Sequence, residues 1–107
     1  MSKKTVKYEE FLDDSLAGNP SLATEYLNEA INMVQKGDSI DIFLLALRDV
    51  ARANGITKIA NKTKKSRTSL YKSLSKKADP KFSTIMEILD YLNIRLGFHS
   101  KKAIKAA

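Results

Sequence analysis

The segment NKTKKSRTSLYKSL, residues 61–74, carries five lysine or arginine residues and no acidic residue. Leu70 and Leu74 lie four positions apart, so on a helix they share one face and can pack against a core. Arg67 and Lys72 then lie on other faces, toward solvent. Like charges crowded on a short helix repel one another, and this cost is tolerated where a negative partner faces them. The segment therefore predicts a short helix that presents positive charge to an anionic partner.

A second short helix is predicted just before this one, over residues 56–62. Ile59 and Ala60 lie on its inner side, and the small Ala60 lets another helix cross closely. Ser66 is a typical N-cap residue for the following helix, predicted over 66–75. Two short helices joined by a short turn, the second of them basic, are typical of a helix-turn-helix, whose second helix lies in the major groove of DNA.

The charge of the chain is unevenly distributed. Residues 1–50 hold five Lys or Arg against nine Asp or Glu, a net charge of −4, whereas residues 51–107 hold fourteen against three, a net charge of +11. A basic half of this density is the usual electrostatic signature of nucleic-acid binding. An acidic half joined to a basic half suggests two surfaces with two different partners. A soluble domain with a skewed surface charge is the simpler alternative.

The rest of the chain is predicted to be almost entirely helical, with no alternation of strands and helices. Apolar residues recur at helical spacing in four further segments, residues 8–14, 20–34, 40–53 and 83–92. The third of these segments is apolar nearly all round, which places it at the centre of a core. The predicted helix-capping residues are Asn19 with Pro20, Ser39 or Asp38, and Ser83. Met86 is predicted to fill the core from the last helix.

The end of the chain differs from the rest. The alternating stretch IRLGFH, residues 94–99, predicts one short C-terminal strand, followed by a basic tail. The chain has no cysteine and no apolar run of the roughly 18 residues that a membrane helix needs. The N-terminal MSKKTVKYEEF has lysines with no apolar segment behind them, so no signal peptide is expected. These features predict a protein of a reducing cytoplasm that does not contact a membrane.

Three stretches of the chain carry a resemblance to a known family, LLALRDVA at 44–51, SRTSLYKSLS at 66–75 and ATEYLNEAIN at 23–32. Over about residues 8–96 the chain resembles the addiction-module antidote (antitoxin) proteins, HigA-like regulators with a Cro/C1-type (Xre-like) helix-turn-helix. The resemblance implies an all-α fold, a λ-repressor-like helical bundle. It also implies binding to the operator of the protein's own operon and a complex with a small, basic RelE/HigB-like toxin.

The turn between the two short helices departs from the family's pattern. A glycine followed by an apolar residue is usual there, whereas this chain has Lys64 and Lys65. A lysine at a position that favours positive φ costs on the order of 1 kcal/mol. Two further phosphate contacts would offset that cost, so the departure is consistent with a DNA-binding turn.

The resemblance also implies roles for individual residues. The residues expected to contact base edges are Arg67, Thr68, Tyr71 and Lys72, and Arg67 is the favoured partner of guanine. Phosphates are assigned to Thr57, Lys62, Lys64, Lys65 and Ser66, which position the protein without reading sequence. Simpler alternatives stay open at this point. Tyr71 could pack on the bundle, Arg67 could anchor only a phosphate, and the lysines could be solvated.

These features together predict three regions: an acidic helical segment at 1–37 that contacts the toxin, a helix-turn-helix domain at 38–96, and a basic flexible tail at 97–107. The predicted function is that of a type II antitoxin, a homodimer on double-stranded operator DNA that neutralises its toxin and represses its own operon. A plain Cro/C1-type repressor without a toxin is the alternative. An RNA-binding domain is disfavoured, because only Tyr71 offers an aromatic ring among the basic residues.

No catalytic residue, metal site or cofactor is predicted. Glu9, Glu10, Asp13 and Asp14 fall on two faces of a helix, so a solvated surface is expected rather than a metal site. His99 is the only histidine, and no acid or nucleophile can be assigned to it. A small nuclease toxin would need alternating strands that this chain lacks, so the protein is not expected to be an enzyme.

Overall fold

The computed structural model describes the backbone of residues 3–100 and the side chains of residues 7–100. Six α-helices form this part of the chain: α1 Lys3–Leu16, α2 Pro20–Gln35, α3 Asp41–Ala53, α4 Ile56–Thr63, α5 Arg67–Ser73 and α6 Phe82–Tyr91. No strand occurs within residues 3–100, so the predicted all-α fold is confirmed. No helix in this range is long and apolar enough to cross a membrane.

The strand predicted at residues 94–99 is wrong, because this stretch is irregular chain. Alternation of apolar and polar residues is compatible with a strand, but a strand also needs a hydrogen-bonded partner, and the described residues offer none. The chain leaves α6 through Asn93, which has a left-handed φ of 61°. The amide of Ile94 then donates to the carbonyl of Leu89 at 2.9 Å, which closes the helix end. The last seven residues of the predicted tail, 101–107, lie outside the described residues.

The predicted helix starts are confirmed where a side chain caps the amides. Asn19 accepts the Leu22 amide at 3.2 Å on its side-chain oxygen, with Pro20 as the first residue of α2. The Ser39 hydroxyl accepts the Asp41 amide at 3.1 Å, although Ile40 is the residue at the boundary of α3. The cap predicted at Ser83 is wrong, because α6 begins one residue earlier, at Phe82, with no side-chain cap.

Helix α3 lies at the centre of the core, as its all-round apolar sequence predicted. Its residues Leu47, Val50 and Ala51 have no solvent exposure. Helix α3 contacts α1, α2 and α4, and α4 in turn contacts α5 and α6. The buried apolar side chains form one cluster that includes residues of every helix, so the acidic segment 1–37 shares a core with the segment 38–96. Their division by function stays a prediction.

A polar network fastens the first two helices to α3. Arg52 of α3 donates from Nε to Asp13 Oδ1 of α1 at 3.0 Å and from Nη1 to Asp49 Oδ1 at 3.1 Å. The hydroxyl of Tyr26 on α2 donates to Asp49 Oδ2 at 2.7 Å. Burial, and then the hydrogen bond to Asp49, raise the pKa of Tyr26 above its ordinary value. Burial acts to lower the pKa of Arg52, but its hydrogen bond to Asp13 and the charges of Asp13 and Asp49 outweigh that effect and raise it.

Candidate nucleic-acid interface

Helix α4 is the buried member of the basic helix pair. Its residues Ile56, Ile59 and Ala60 pack into the core. Thr63 at its end is also buried, and its hydroxyl donates to the Ile59 carbonyl at 3.0 Å, so the buried polar group is satisfied within the helix. Ala60 is 3 % exposed, and α5 packs against α4, as the small side chain at this position predicted.

The turn after α4 places a lysine in the left-handed conformation. Lys64 has φ 57° and ψ 38°, the position for which glycine is favoured. The Lys65 amide donates to the Ala60 carbonyl at 3.0 Å and the Lys64 amide to the Asn61 carbonyl at 3.3 Å, a pair of bonds typical of a Schellman helix end. The prediction that Lys64 occupies a strained position is confirmed. Lys64 is exposed, whereas Lys65 is half-buried.

Helix α5 begins at the predicted cap and docks through the predicted leucines. Ser66 is in an extended conformation and its hydroxyl accepts the Ser69 amide at 3.0 Å. Leu70 and Leu74 have no solvent exposure. The loop that follows is held by the Lys77 amide, which donates to Asp41 Oδ1 on α3 at 2.9 Å. These contacts fix the rotation of α5 about its own axis, and therefore decide which residues face solvent.

The four residues predicted to contact bases do not share one environment. Arg67, Thr68 and Lys72 are exposed. Tyr71 is half-buried and packs against the hydrophobic core. Most of the Tyr71 side chain therefore packs on the bundle, as the simpler alternative proposed. Only the accessible part of the ring can reach a partner.

Ser69 is also exposed on α5, although it is not among the residues that the sequence predicts to contact DNA. Ser69 follows Thr68 directly, and Lys72 lies one helical turn after both. The three residues therefore occupy adjacent parts of the helix surface, away from Leu70 and Leu74. This spacing could have identified Ser69 from the sequence. A serine hydroxyl can donate or accept a hydrogen bond, so this surface is suited to polar contacts with base edges.

The residues predicted to contact phosphate lie on α4, on the turn after it and at the start of α5. Thr57, Lys62, Lys64 and Ser66 are exposed, and Lys65 is half-buried. Lys62 Nζ lies 3.5 Å from Asp90 Oδ2 on α6, an exposed ion pair that sequence reasoning did not identify. An exposed pair of this kind contributes little to stability, so Lys62 can exchange its contact with Asp90 for one with a phosphate.

The described side chains neutralise little of the positive charge around α4 and α5. Residues 56–77 hold eight Lys or Arg and no acidic residue. Among the ion pairs between described side chains, the Lys62–Asp90 contact alone reaches this segment. A surface that concentrates one sign of charge in this way attracts a polyanion over distances of about a Debye length. No group of three or more His, Cys, Asp or Glu in the described residues could hold a metal ion.

An acidic and aromatic surface lies on α1. Tyr8 and Phe11 are 59 % and 66 % exposed, and Glu10 and Asp14 beside them are also exposed. Leu12 and Leu16 form the buried side of the same helix. Residues 10, 11 and 14 lie at helical spacing on its outward side, so an exposed phenylalanine is flanked by two carboxylates. We refer to Tyr8, Glu10, Phe11 and Asp14 as the α1 surface.

Residues 3–100 thus form a small all-helical domain with one basic and one acidic surface. Comparison with known proteins supplies the family: residues 7–100 match the family described as "Probable addiction module antidote protein", and the chain belongs to it. An antidote of an addiction module counteracts a toxin, so the family assigns the chain a general antitoxin role. A Haemophilus influenzae protein, described only as uncharacterized, is 40% identical over 70 residues, which is 65% of this chain and 68% of that protein. No solved structure shows significant similarity to the chain.

Proposed function

We propose that the protein is a sequence-specific DNA-binding antitoxin, in which α4 and α5 form a helix-turn-helix of the Cro/C1 type. The observation that carries this proposal is the orientation of α5. Leu70 and Leu74 are fully buried, and the opposite side of the helix is exposed within a stretch of eight basic and no acidic residues. This arrangement supports insertion of the exposed side of α5 into the major groove.

The exposed residues of α5 would read the bases. Arg67 carries the planar donor pair that suits O6 and N7 of guanine. Thr68, Ser69 and Lys72 offer hydroxyl and ammonium groups to neighbouring bases or phosphates. Tyr71 would contribute only a contact from its accessible part, since it is half-buried on the core. Tyr71 is therefore a secondary contact in the proposal.

The phosphate contacts would come from the residues around α5. Lys64 is exposed on the turn that precedes α5, and Ser66 and Thr57 lie near the starts of α5 and α4. Lys62 would leave Asp90 for a phosphate, and Lys65 would contribute its accessible end. Contacts of this kind set the register of the protein on DNA and make its affinity depend on salt.

The α1 surface is the proposed site for a RelE/HigB-like toxin. Exposed aromatic side chains next to carboxylates suit a basic partner with an apolar pocket, because the aromatic rings supply contact area and the charges speed encounter. Helix α1 packs on α2 and α3, whereas α5 packs on α4, so a toxin on α1 would leave α5 accessible. Asp13 is excluded from this surface, since it is paired with Arg52.

The complete proposal is a homodimer on a palindromic operator in the bacterial cytoplasm, which represses its own operon. Two copies are expected because one small helix-turn-helix buries a limited area on DNA. The decisive experiment combines co-purification with the product of the adjacent gene and titration of the complex onto the DNA upstream of the operon. Lys36→Ala, which removes an exposed charge at the end of α2, is the matched control for charge removal near α5.

The outcomes separate the parts of the proposal. Tight operator binding that depends on Arg67, together with capture of a toxin that depends on Phe11, supports both activities. If the protein binds the operator but captures no toxin, the alternative of a plain Cro/C1-type repressor is supported instead. Equal affinity for the operator and for unrelated DNA of the same length contradicts sequence-specific recognition.

A further inference from the structure

A lysine in the left-handed backbone conformation lies beyond each end of α5. Lys64 precedes the helix and has a φ of 57°, and Lys77 lies four residues after its last residue and has a φ of 62°. Lysine adopts this conformation at a steric cost, which glycine in the same place would not incur. Strained residues of this kind collect at functional sites, and Lys77 has no role in the contacts described so far.

A carboxylate from another helix holds Lys77 in this conformation. Asp41, the first residue of α3, accepts the Lys77 amide on Oδ1 at 2.9 Å, a contact between residues 36 positions apart. The next residue, Ala78, packs against the hydrophobic core. At the other side of the turn, the Ser75 hydroxyl donates to the Lys72 carbonyl at 2.7 Å. The backbone that follows α5 is therefore fixed relative to both α3 and α5.

The side chains of this turn are presented to solvent although its backbone is held. Lys76 and Lys77 are both exposed. Neither takes part in the ion pairs between described side chains. Asp41 is half-buried and accepts the amide of Lys77, so its recorded contact holds the backbone and leaves the ammonium group accessible.

The position of the turn suits contact with a phosphate backbone. A helix in the major groove is flanked by phosphates, and cations beyond both of its ends can meet them. Lys76 and Lys77 end the stretch 56–77, which holds eight basic residues and no acidic residue. Neither lysine is among the residues that the sequence predicts to contact phosphate.

We propose that Asp41 is a positioning residue for DNA binding, which holds the turn after α5 so that Lys76 and Lys77 meet phosphate without further ordering. This inference rests on the proposed binding of DNA by α5. Asp41 itself does not contact DNA and acts only through the two lysines. Without its carboxylate the turn would become ordered only when DNA binds, and the entropy lost in that step lowers the affinity.

The sign of the effect separates positioning from charge. Asp41 is acidic, so by charge alone its removal should strengthen binding to a polyanion. Positioning predicts the opposite, and Asp41→Ala should bind the operator and unrelated DNA about five- to tenfold more weakly. Asp41→Asn removes the charge but keeps an oxygen that can accept the Lys77 amide, so it should bind at least as tightly as wild type.

Asp79→Ala is the matched control for the loss of a carboxylate. Asp79 is exposed and lies two residues after Lys77, so this variant removes the same charge from the same loop and should not weaken DNA binding. Hydrogen exchange followed by NMR, without DNA, measures the turn directly. The Lys77 amide should exchange faster in Asp41→Ala than in wild type or in Asp41→Asn, because it has lost its acceptor.

Fluorescence anisotropy titrations of the full chain at several salt concentrations measure DNA binding. In Asp41→Ala the slope of log K against log salt concentration should stay that of wild type, because both lysines still reach phosphate in the complex. The double variant Lys76→Ala/Lys77→Ala should lower that slope by about two. Adding Asp41→Ala to the double variant should weaken binding no further, since the lysines through which Asp41 acts are gone.

The results separate this inference from the proposed function. If Asp41→Ala binds DNA as tightly as wild type, or weakens binding equally in the double lysine variant, the positioning role is overturned. An unchanged salt slope in the double lysine variant also overturns it, whatever the stability of Asp41→Ala. A wild-type chain that binds neither the operator nor unrelated DNA refutes the proposed function itself, and the positioning role with it.

Discussion

Arg52 and Asp13 join α3 to α1 through a single hydrogen-bonded ion pair, with 3.0 Å between Nε and Oδ1. The Arg52 side chain is 18 % exposed, and its Nη2 atom is buried without a hydrogen-bond partner among the described residues. A guanidinium in this position depends on the carboxylates that remain beside it. The acidic sequence of α1 therefore has a structural role at Asp13, in addition to any role of its exposed carboxylates.

We expect Asp13→Ala to lower the free energy of unfolding by about 1–3 kcal/mol, because a second donor of the buried guanidinium loses its partner. Asp14→Ala is the matched control, since Asp14 is the exposed neighbour and should change stability by less than about 0.5 kcal/mol. Urea unfolding followed by circular dichroism measures both. Equal stability of the two variants would show that the Arg52 contact contributes nothing.

The hydrogen bond from Tyr26 to Asp49 predicts a loss of stability in alkali. The pKa of Tyr26 is raised in the folded protein above its ordinary value of about 10, through burial and the hydrogen bond to Asp49. A raised folded pKa stabilises the fold below the unfolded pKa, and this contribution falls as pH rises above about 10. Tyr26→Phe should therefore be less stable than wild type at pH 8, with a smaller difference at pH 11. A difference that stays constant over this range would contradict the coupling.

The sequence predicts those parts of the fold that depend on local spacing. Leu70 and Leu74 dock as their separation requires, Asn19 and Ser66 cap their helices, and Lys64 adopts the left-handed conformation at the turn. The Arg52–Asp13 pair joins residues far apart in the chain, as does the Lys62–Asp90 pair, so neither follows from spacing along a helix. The alternation at residues 94–99 predicts a strand where the chain is irregular, because alternation defines two faces but does not specify a hydrogen-bonded partner.

The candidate site was predictable to a similar extent. The exposure of Thr68 and Lys72 follows from the burial of the two leucines on the same helix. Spacing alone places Arg67 on the side of Leu70, three positions away, and Arg67 is exposed at the first position of α5. The half-burial of Tyr71 cannot be predicted in this way, because it depends on how the rest of the bundle packs against α5. Met86 shows the same limit: its apolar character predicts a core position, and this prediction is wrong, because the rotation of α6 leaves Met86 49 % exposed.

The strained turn predicts a conflict between stability and DNA binding at Lys64. Lys64→Gly should raise the free energy of unfolding by about 1 kcal/mol, since glycine adopts the left-handed conformation without steric cost. The same variant should bind the operator and unrelated DNA more weakly, and the slope of log K against log salt concentration should fall by about one.

Lys64→Ala separates the two effects. Alanine removes the charge and keeps a Cβ in the left-handed conformation, so DNA affinity should fall as in Lys64→Gly while stability stays near that of wild type. Fluorescence anisotropy at several salt concentrations and urea unfolding give the two quantities. An unchanged salt slope in both variants would remove Lys64 from the phosphate contacts.

Arg67 is expected to contribute to sequence recognition as well as to affinity. Arg67→Ala should cost about 1–3 kcal/mol of binding free energy on the operator and relax discrimination at one base pair, because it removes the proposed bidentate contact to guanine. Arg67→Lys keeps the charge but lacks the planar fork, so it should retain affinity for unrelated DNA and still lose discrimination.

Anisotropy titrations against the operator, against single-base variants of it and against unrelated DNA measure the effect of Arg67. The matched control, Lys36→Ala, removes one positive charge from the exposed end of α2 and should leave discrimination unchanged. If Arg67→Ala weakens binding to the operator and to unrelated DNA by the same factor, Arg67 contacts only phosphate. The reading of bases would then have to come from Thr68, Ser69 and Lys72, the other exposed residues of α5.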